Sequence, residues 1–214
     1  MNPDQYCNLI PDNFYHIYNR ANGDDKLFFQ DRNYNFFLKR YGDFLDEYIE
    51  TYAYSLLQNH FHLLVRVKSK EAILAAARND ISQRNVISKP SDFSEIVSEQ
   101  FRRLFISYSK AINVQESRTG NLFQRPFKRK LIDHPRYFKN TIYYIHHQPS
   151  HHGYEIDDLD YPHSSYLSFL SEGKSKLRRN EVLNWFGSKT DFVKFHSQKQ
   201  ELNDINHFII EDDV

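Results

Sequence analysis

Hydrophobic and polar positions along the chain change period several times, and each change predicts an element. Residues 14–20, Phe-Tyr-His-Ile-Tyr-Asn-Arg, alternate and are rich in rings, which predicts a strand. Asp31 can cap a helix in which Phe36, Phe37, Leu38, Tyr41, Phe44 and Leu45 recur at helical spacing. Residues 49–57 return to strand character, Gln58-Asn59 can form a tight turn, and residues 60–67 predict a second, hairpin-paired strand. A short Ala-rich helix follows, then polar sequence with a loop at Lys89-Pro90-Ser91-Asp92. Residues 94–112 regain the helical period through Ile96, Phe101, Leu104, Phe105 and Tyr108. Residues 121–132 predict a strand or hairpin limb, which Pro126 confines to an edge or bulge. Pro135 suits the first turn of a helix running towards Pro149, and weaker helical segments lie around 164–170 and 181–186.

That order predicts an α+β fold, a ferredoxin-like antiparallel sheet covered by helices. The boundary falls at 153: residues 1–153 form one domain, and 154–214 a small helical C-terminal extension packed on or beside it. Forty per cent hydrophobic residues, with 18 Phe and 15 Tyr, are enough for a substantial core. No apolar run approaches the roughly 18–20 residues that span a bilayer, and residues 1–11 lack a signal-peptide pattern. The expectation is a cytoplasmic protein without a membrane partner. Cys7, the one cysteine, can make neither an internal disulfide nor a Cys-based zinc site.

Net charge is zero, which argues against nucleic acid until its distribution is considered. Between residues 101 and 150 there are ten Lys or Arg and two acids, and the compensating acids follow, ending with Glu211, Asp212 and Asp213. A local basic field attracts phosphate regardless of the total. Within it, Leu122-Phe-Gln-Arg-Pro-Phe-Lys-Arg-Lys130 interleaves rings with cations, as single-stranded DNA or hairpin bases require. Arg125, Lys128, Arg129 and Lys130 are the candidate phosphate contacts, and Phe123 and Phe127 the candidate stacking rings. A bland reading of the stretch is an edge strand kept soluble by charge.

The sharpest chemical feature is His60-Phe61-His62. Side chains alternate across a strand, so both imidazoles share one face, while Phe61, Leu63, Val65 and Val67 form an apolar row on the other. Two adjacent imidazoles can chelate a divalent metal, although His-x-His alone is a weak signal. The second feature is Thr141-Ile-Tyr-Tyr-Ile-His-His-Gln148-Pro149. At 100° per residue, Phe138, Thr141, Ile142 and Ile145 face the core. Tyr144 and Gln148 then sit together on the flank beside Tyr137, and Tyr143 and His147 point to solvent. His146, His147, His151 and His152 read as surface and turn residues, His146 being the least settled of the four.

These pieces resemble the single-tyrosine HUH transposases, specifically the REP-associated tyrosine transposases. The matching segments are Tyr15-His-Ile-Tyr-Asn-Arg20, Leu57-Gln-Asn-His-Phe-His-Leu-Leu-Val65, Gly120-Asn-Leu-Phe-Gln-Arg-Pro-Phe127, and Tyr144-Ile-His-His-Gln-Pro149 with His152-Gly153. Ser164-Ser-Tyr166 resembles a C-terminal extension common in that group. The resemblance implies that His60, His62 and Gln148 bind Mg²⁺ or Mn²⁺ and that Tyr144 attacks DNA. Gln148 stands where many relatives have Asn, and Gln58 where many have Pro. The first keeps an amide oxygen and the second changes only a turn.

The implied activity is nicking and joining of single-stranded or hairpin DNA through a 5′-phosphotyrosine, with monomer and homodimer both open. No Gly-x-x-x-x-Gly-Lys stretch is present, so nothing suggests nucleotide hydrolysis. Two other readings compete: a DNA-binding regulator that does not use catalysis, and a metal-dependent hydrolase unrelated to DNA. The basic span and the lack of a general-base carboxylate motif argue against the hydrolase.

Overall fold

A computed structural model describes residues 6–84, 93–155 and 157–205. The expected loop at 89–92 and the acids at 211–213 lie outside the described residues. Four strands, β1 (Phe14–Arg20), β2 (Ile49–Leu56), β3 (His60–Val67) and β4 (Lys128–Ile132), form one antiparallel sheet in the order β2-β3-β1-β4. This is the expected ferredoxin-like arrangement. Leu57 and His60 exchange backbone hydrogen bonds across Gln58-Asn59, closing the β2–β3 hairpin at the turn the sequence marks.

The helices form two layers. On one side α1 (Asp31–Leu45), α2 (Lys70–Arg84) and α3 (Phe93–Gln115) cover the face carrying Tyr15, Ile17, Phe61, Leu63, Val65 and Val67. The apolar row on β3 thus does what its alternation demands: all four side chains are buried against Phe37, Phe101, Leu104 and Tyr108. Asp31 is the first residue of α1 rather than its cap. Asn33 instead turns back, its Oδ1 accepting from the backbone N–H groups of Phe29 and Gln30 at 3.0 Å each. Only Lys128–Ile132 of the expected limb at 121–132 is a strand; the approach is held by Asn22 N–H to the Leu122 carbonyl and Gln124 N–H to the Arg20 carbonyl, both 2.9 Å.

The other sheet face is covered by α4 (Phe138–His146), the one-turn α5 (Gln148–His151), and α6 (Tyr166–Leu170), α7 (Arg179–Phe186) and α8 (Lys189–His196). Phe138, Ile142 and Ile145 pack on Tyr52, Leu64 and Ile132, together with Tyr166, Phe169, Val182, Phe186 and Phe192. The segment after 153 also seals the β2 edge: Leu56 N–H donates to the His163 carbonyl, Ser165 N–H to the Tyr54 carbonyl, and Arg178 N–H to the Thr51 carbonyl. An edge strand left open invites pairing with other chains. No helix among the described residues is long and apolar enough to cross a membrane.

Two placements correct the sequence reading. Tyr143 is 8 % exposed, not solvent-facing, because α8 covers that side of α4; it stacks on His147 with centroids 3.8 Å apart and lies beside Phe195 and His196. His146 is fully buried, not a surface residue. Its Nε2 meets Ser165 Oγ at 2.8 Å and its Nδ1 meets His196 Nε2 at 2.9 Å, while His196 Nδ1 donates to the Phe192 carbonyl at 2.8 Å. A donor at His196 Nδ1 leaves Nε2 as an acceptor, so the chain runs from Ser165 through His146 to His196 with every ring neutral.

Burial holds the His196 pKa down to about 3 and that of His146 well below its usual value, with the neighbouring imidazole adding to the shift at His146. Above pH 6.5 folded and unfolded chains are both neutral at these sites. As pH falls below 6.5 the unfolded chain takes up protons that the folded pair refuses. Stability is therefore expected to fall between about pH 6.5 and 3, by roughly 1.4 kcal/mol per pH unit for each histidine held neutral. Urea unfolding at pH 7 and pH 5 checks this. His196→Gln should flatten the dependence, and an unchanged slope in that variant would contradict the burial.

Candidate metal and tyrosine site

Strand alternation and register assemble the site. On β3, His60 and His62 face α4 and α5, and the β1–β3 register sets Arg20 opposite His60 and Tyr18 opposite His62. His16, two residues before Tyr18, joins the same face, and its Nε2 lies 2.9 Å from His62 Nδ1. All three histidines are buried.

The hydrogen bonds decide which ring atoms are available. Asn59 Oδ1 is an acceptor 2.6 Å from His60 Nδ1, so His60 carries its proton there and presents a lone pair at Nε2. The contact between His62 Nδ1 and His16 can orient His62 in the same way, the outer partner fixing the tautomer of a ligating imidazole. His60 Nε2 and His62 Nε2 are buried and have no hydrogen-bond partner.

Gln148 supplies a third such atom. The backbone breaks at His147 and restarts in α5, where Pro149, lacking an N–H, occupies the first turn. Gln148 Nε2 donates 3.3 Å back to the Tyr144 carbonyl, leaving Oε1 buried and unpartnered. The His60 pKa is lowered to about 3 by burial and then by the charges of His152 and Arg20, with the Gln148 side chain opposing. Burial also holds His62 neutral, aided by His16 and His60. Two ring nitrogens and an amide oxygen are all acceptors and cannot satisfy one another, and each such buried group left unmade costs about 1–3 kcal/mol. An electrophile meets that demand, and the donor set suits a divalent ion.

His152, an exposed turn residue just after α5 as the sequence predicts, nonetheless reaches the site. Its ring lies 4.2 Å from that of His60, and one nitrogen each of His60, His62 and His152 falls within 4.8 Å of the others. Tyr144 stands edge-on to this group, its ring 5.9 Å from those of both His16 and His62, and 5.8 Å from His151. So two of the four histidines assigned to surface and turn border the site. The run of histidines at 146–152 can mimic a metal site in sequence, but only the fold brings His152 onto β3.

The basic stretch is reorganised more heavily. Phe123 and Phe127 are 3 % and 9 % exposed and pack against Phe101, Phe105 and Tyr108, so their rings have no free face for a base. Their expected stacking role is corrected: the apolar period of 121–127 serves the core. Lys130 is buried, and Arg129 donates from Nε to the Cys7 carbonyl at 2.7 Å and from Nη1 to Ser98 Oγ at 2.8 Å. Arg125 is exposed, and half-buried Lys128 lies over the Tyr18 ring at 5.4 Å.

No protein-family model matches the chain, and no curated protein matches it in sequence. Among solved structures, a REP-associated tyrosine transposase bound to a REP hairpin has the same fold, with TM-score 0.56 and 16 % identity over 78 % of this chain and 85 % of that one. At that identity the likeness establishes the fold alone, an antiparallel α+β domain.

Isothermal titration with Mn²⁺ is expected to find one ion, lost in the His60→Ala, His62→Ala double variant. Asn59→Ala, which frees the His60 tautomer, should weaken binding about ten- to hundredfold. Undiminished affinity in the double variant would place the ion elsewhere.

Proposed function

We propose that this protein nicks and rejoins single-stranded DNA at hairpins, with His60, His62 and Gln148 holding Mg²⁺ or Mn²⁺ and Tyr144 as the nucleophile. The observation that carries the reading is that the unpartnered nitrogens of His60 and His62, on one buried sheet face, have the unpartnered amide oxygen of Gln148 and the ring of Tyr144 packed beside them. The fold likeness to a transposase bound to a DNA hairpin supports DNA as the partner. The catalytic unit is residues 1–153, and the 154–214 extension backs the helix that carries Tyr144.

A bound divalent ion supplies Lewis-acid polarisation of a non-bridging phosphate oxygen. The protein's own contribution is placement. The rigid strand β3 fixes the imidazoles, and the Gln148 amide is locked to the carbonyl of the very residue that attacks. Ile142 and Ile145 anchor α4 so that Tyr144 keeps its aim. The Tyr144 oxygen forms a bond to the 5′ phosphate while the bond to the 3′ oxygen breaks, and the phenolic proton ends on the departing 3′-hydroxyl. Attack by another 3′-hydroxyl reverses the step and restores tyrosine. Ester energy is conserved, so no nucleotide triphosphate is consumed.

Arg125 and Lys128 are the cations of the basic stretch best placed for phosphate. A regulator that binds hairpins without cutting them is the competing reading, and the same assay separates the two. Hairpin-bearing single-stranded DNA is incubated with the protein and Mn²⁺, and adducts are resolved on denaturing gels and mapped by mass spectrometry. Tyr144→Phe should abolish the adduct and keep DNA binding, whereas Tyr143→Phe, which preserves the stack on His147, should stay within a few-fold of wild type. An adduct retained in Tyr144→Phe would refute the assignment; binding without any adduct in the wild-type protein would select the regulator.

A further inference from the structure

Arg20 closes β1 on the same face as the histidines, directly across from His60. Its Nε is buried and makes no hydrogen bond, and the ion pairs of the described residues engage other cations. It lines one recess with His60, Tyr18, Gln124 and Lys128, and no carboxylate borders that recess. A half-buried guanidinium with an idle donor is costly unless an anion completes it. Its field already acts on His60.

A divalent ion held by His60 and His62 would add a second cation beside Arg20. Two cations so placed repel through a low-dielectric site unless a negative group lies between them. Phosphate is suited to the gap, because a guanidinium offers a planar fork that matches two phosphate oxygens. Lys128, above Tyr18, provides a third positive corner.

We infer that Arg20 is a further catalytic residue, gripping the scissile phosphate by its non-bridging oxygens on the side away from Tyr144, with Lys128 steering the adjacent backbone. The inference rests on the nicking-joining reading for its chemistry, but the phosphate contact is measurable without it. As the tyrosine oxygen adds to phosphorus, charge accumulates on those oxygens, and a preorganised donor there lowers the barrier more than it tightens the ground state.

The test combines binding and single-turnover rate. With a short thymidine homopolymer as probe, Arg20→Gln should bind about tenfold more weakly, the loss of one charge-assisted pair, and lower the salt slope by about one. Its Mn²⁺ affinity without DNA should be equal or tighter, since a repelling charge has gone. Adduct formation on hairpin DNA should fall about a hundredfold further. Arg20→Lys keeps the charge and should keep the salt slope, yet lose rate because the fork is gone. A methylphosphonate at the cleaved position should slow the wild-type protein by a larger factor than Arg20→Gln, in which the guanidinium contact is already gone. If wild type forms no adduct but Arg20→Gln still lowers the slope, the nicking reading fails and the phosphate contact stands. If affinity and slope are unchanged in a folded Arg20→Gln protein, or Arg20→Lys reacts at the wild-type rate, the clamp is overturned. Should Arg20→Gln not fold, Arg20→Lys decides, a wild-type rate overturning the clamp and a lost rate with an unchanged salt slope supporting it.

Discussion

Three buried acceptor atoms without a hydrogen-bond partner are the constraint on which the rest of the structure depends. His60 Nε2, His62 Nε2 and Gln148 Oε1 are buried with nothing to bond. An ordinary core would replace such groups or pair them, because the desolvation cost is not recovered. Here every neighbouring contact acts to keep the three lone pairs in place. Asn59 holds the His60 proton on the far side of the ring, His16 backs His62, and the Tyr144 carbonyl takes up the amide hydrogen of Gln148. Burial itself keeps the rings neutral and so able to donate.

This arrangement explains the two-sided sheet. The face under α1 and α3 is apolar and carries the folding stability, with Phe61 and its alternate partners fully buried. The opposite face can then hold a polar group because α4 and the extension seal it from water. The extension is part of that seal. By hydrogen bonding to β2 and locking His146 through His196, it fixes the helix from which Tyr144 projects. Tertiary packing, more than helix propensity, holds a nine-residue helix such as α4.

The legible and illegible parts of the site divide along physical lines. Period-two alternation identified the shared face of His60 and His62 and the apolar row beneath, because that pattern is local and strand geometry is rigid. Helical phase put Tyr144 and Gln148 together for the same reason. Tyr143 was misplaced since a helix in isolation has one buried face, and nothing in the phase announces that a later segment will bury a second. Phe123 and Phe127 show the converse: rings interleaved with cations look alike whether they meet a base or a core, and only the positions of Phe101 and Phe105 decide. His16 and Arg20 sit at even positions of the β1 alternation, so their common face was readable. The approach of His16 to His62 and of Arg20 to His60 was not, because it depends on β1 pairing with β3 across the intervening residues 21–59.

That pairing is also what separates this site from a simple two-histidine chelate. Antiparallel neighbours on one face bring side chains to roughly 4.5–5.5 Å, so β1 delivers an imidazole, a phenol and a guanidinium to the very strand that bears the ligands. A metal needs neutral donors, whereas a phosphate needs cations, and the two demands oppose each other if the groups share one strand. Dividing them between β3 and β1 serves both: burial keeps His60 and His62 neutral, and the half-buried Arg20 guanidinium lies across from His60. The sheet's register therefore sets the spacing between the imidazoles of β3 and the guanidinium of β1, and a phosphate lying between the two strands would make their electrostatics compatible.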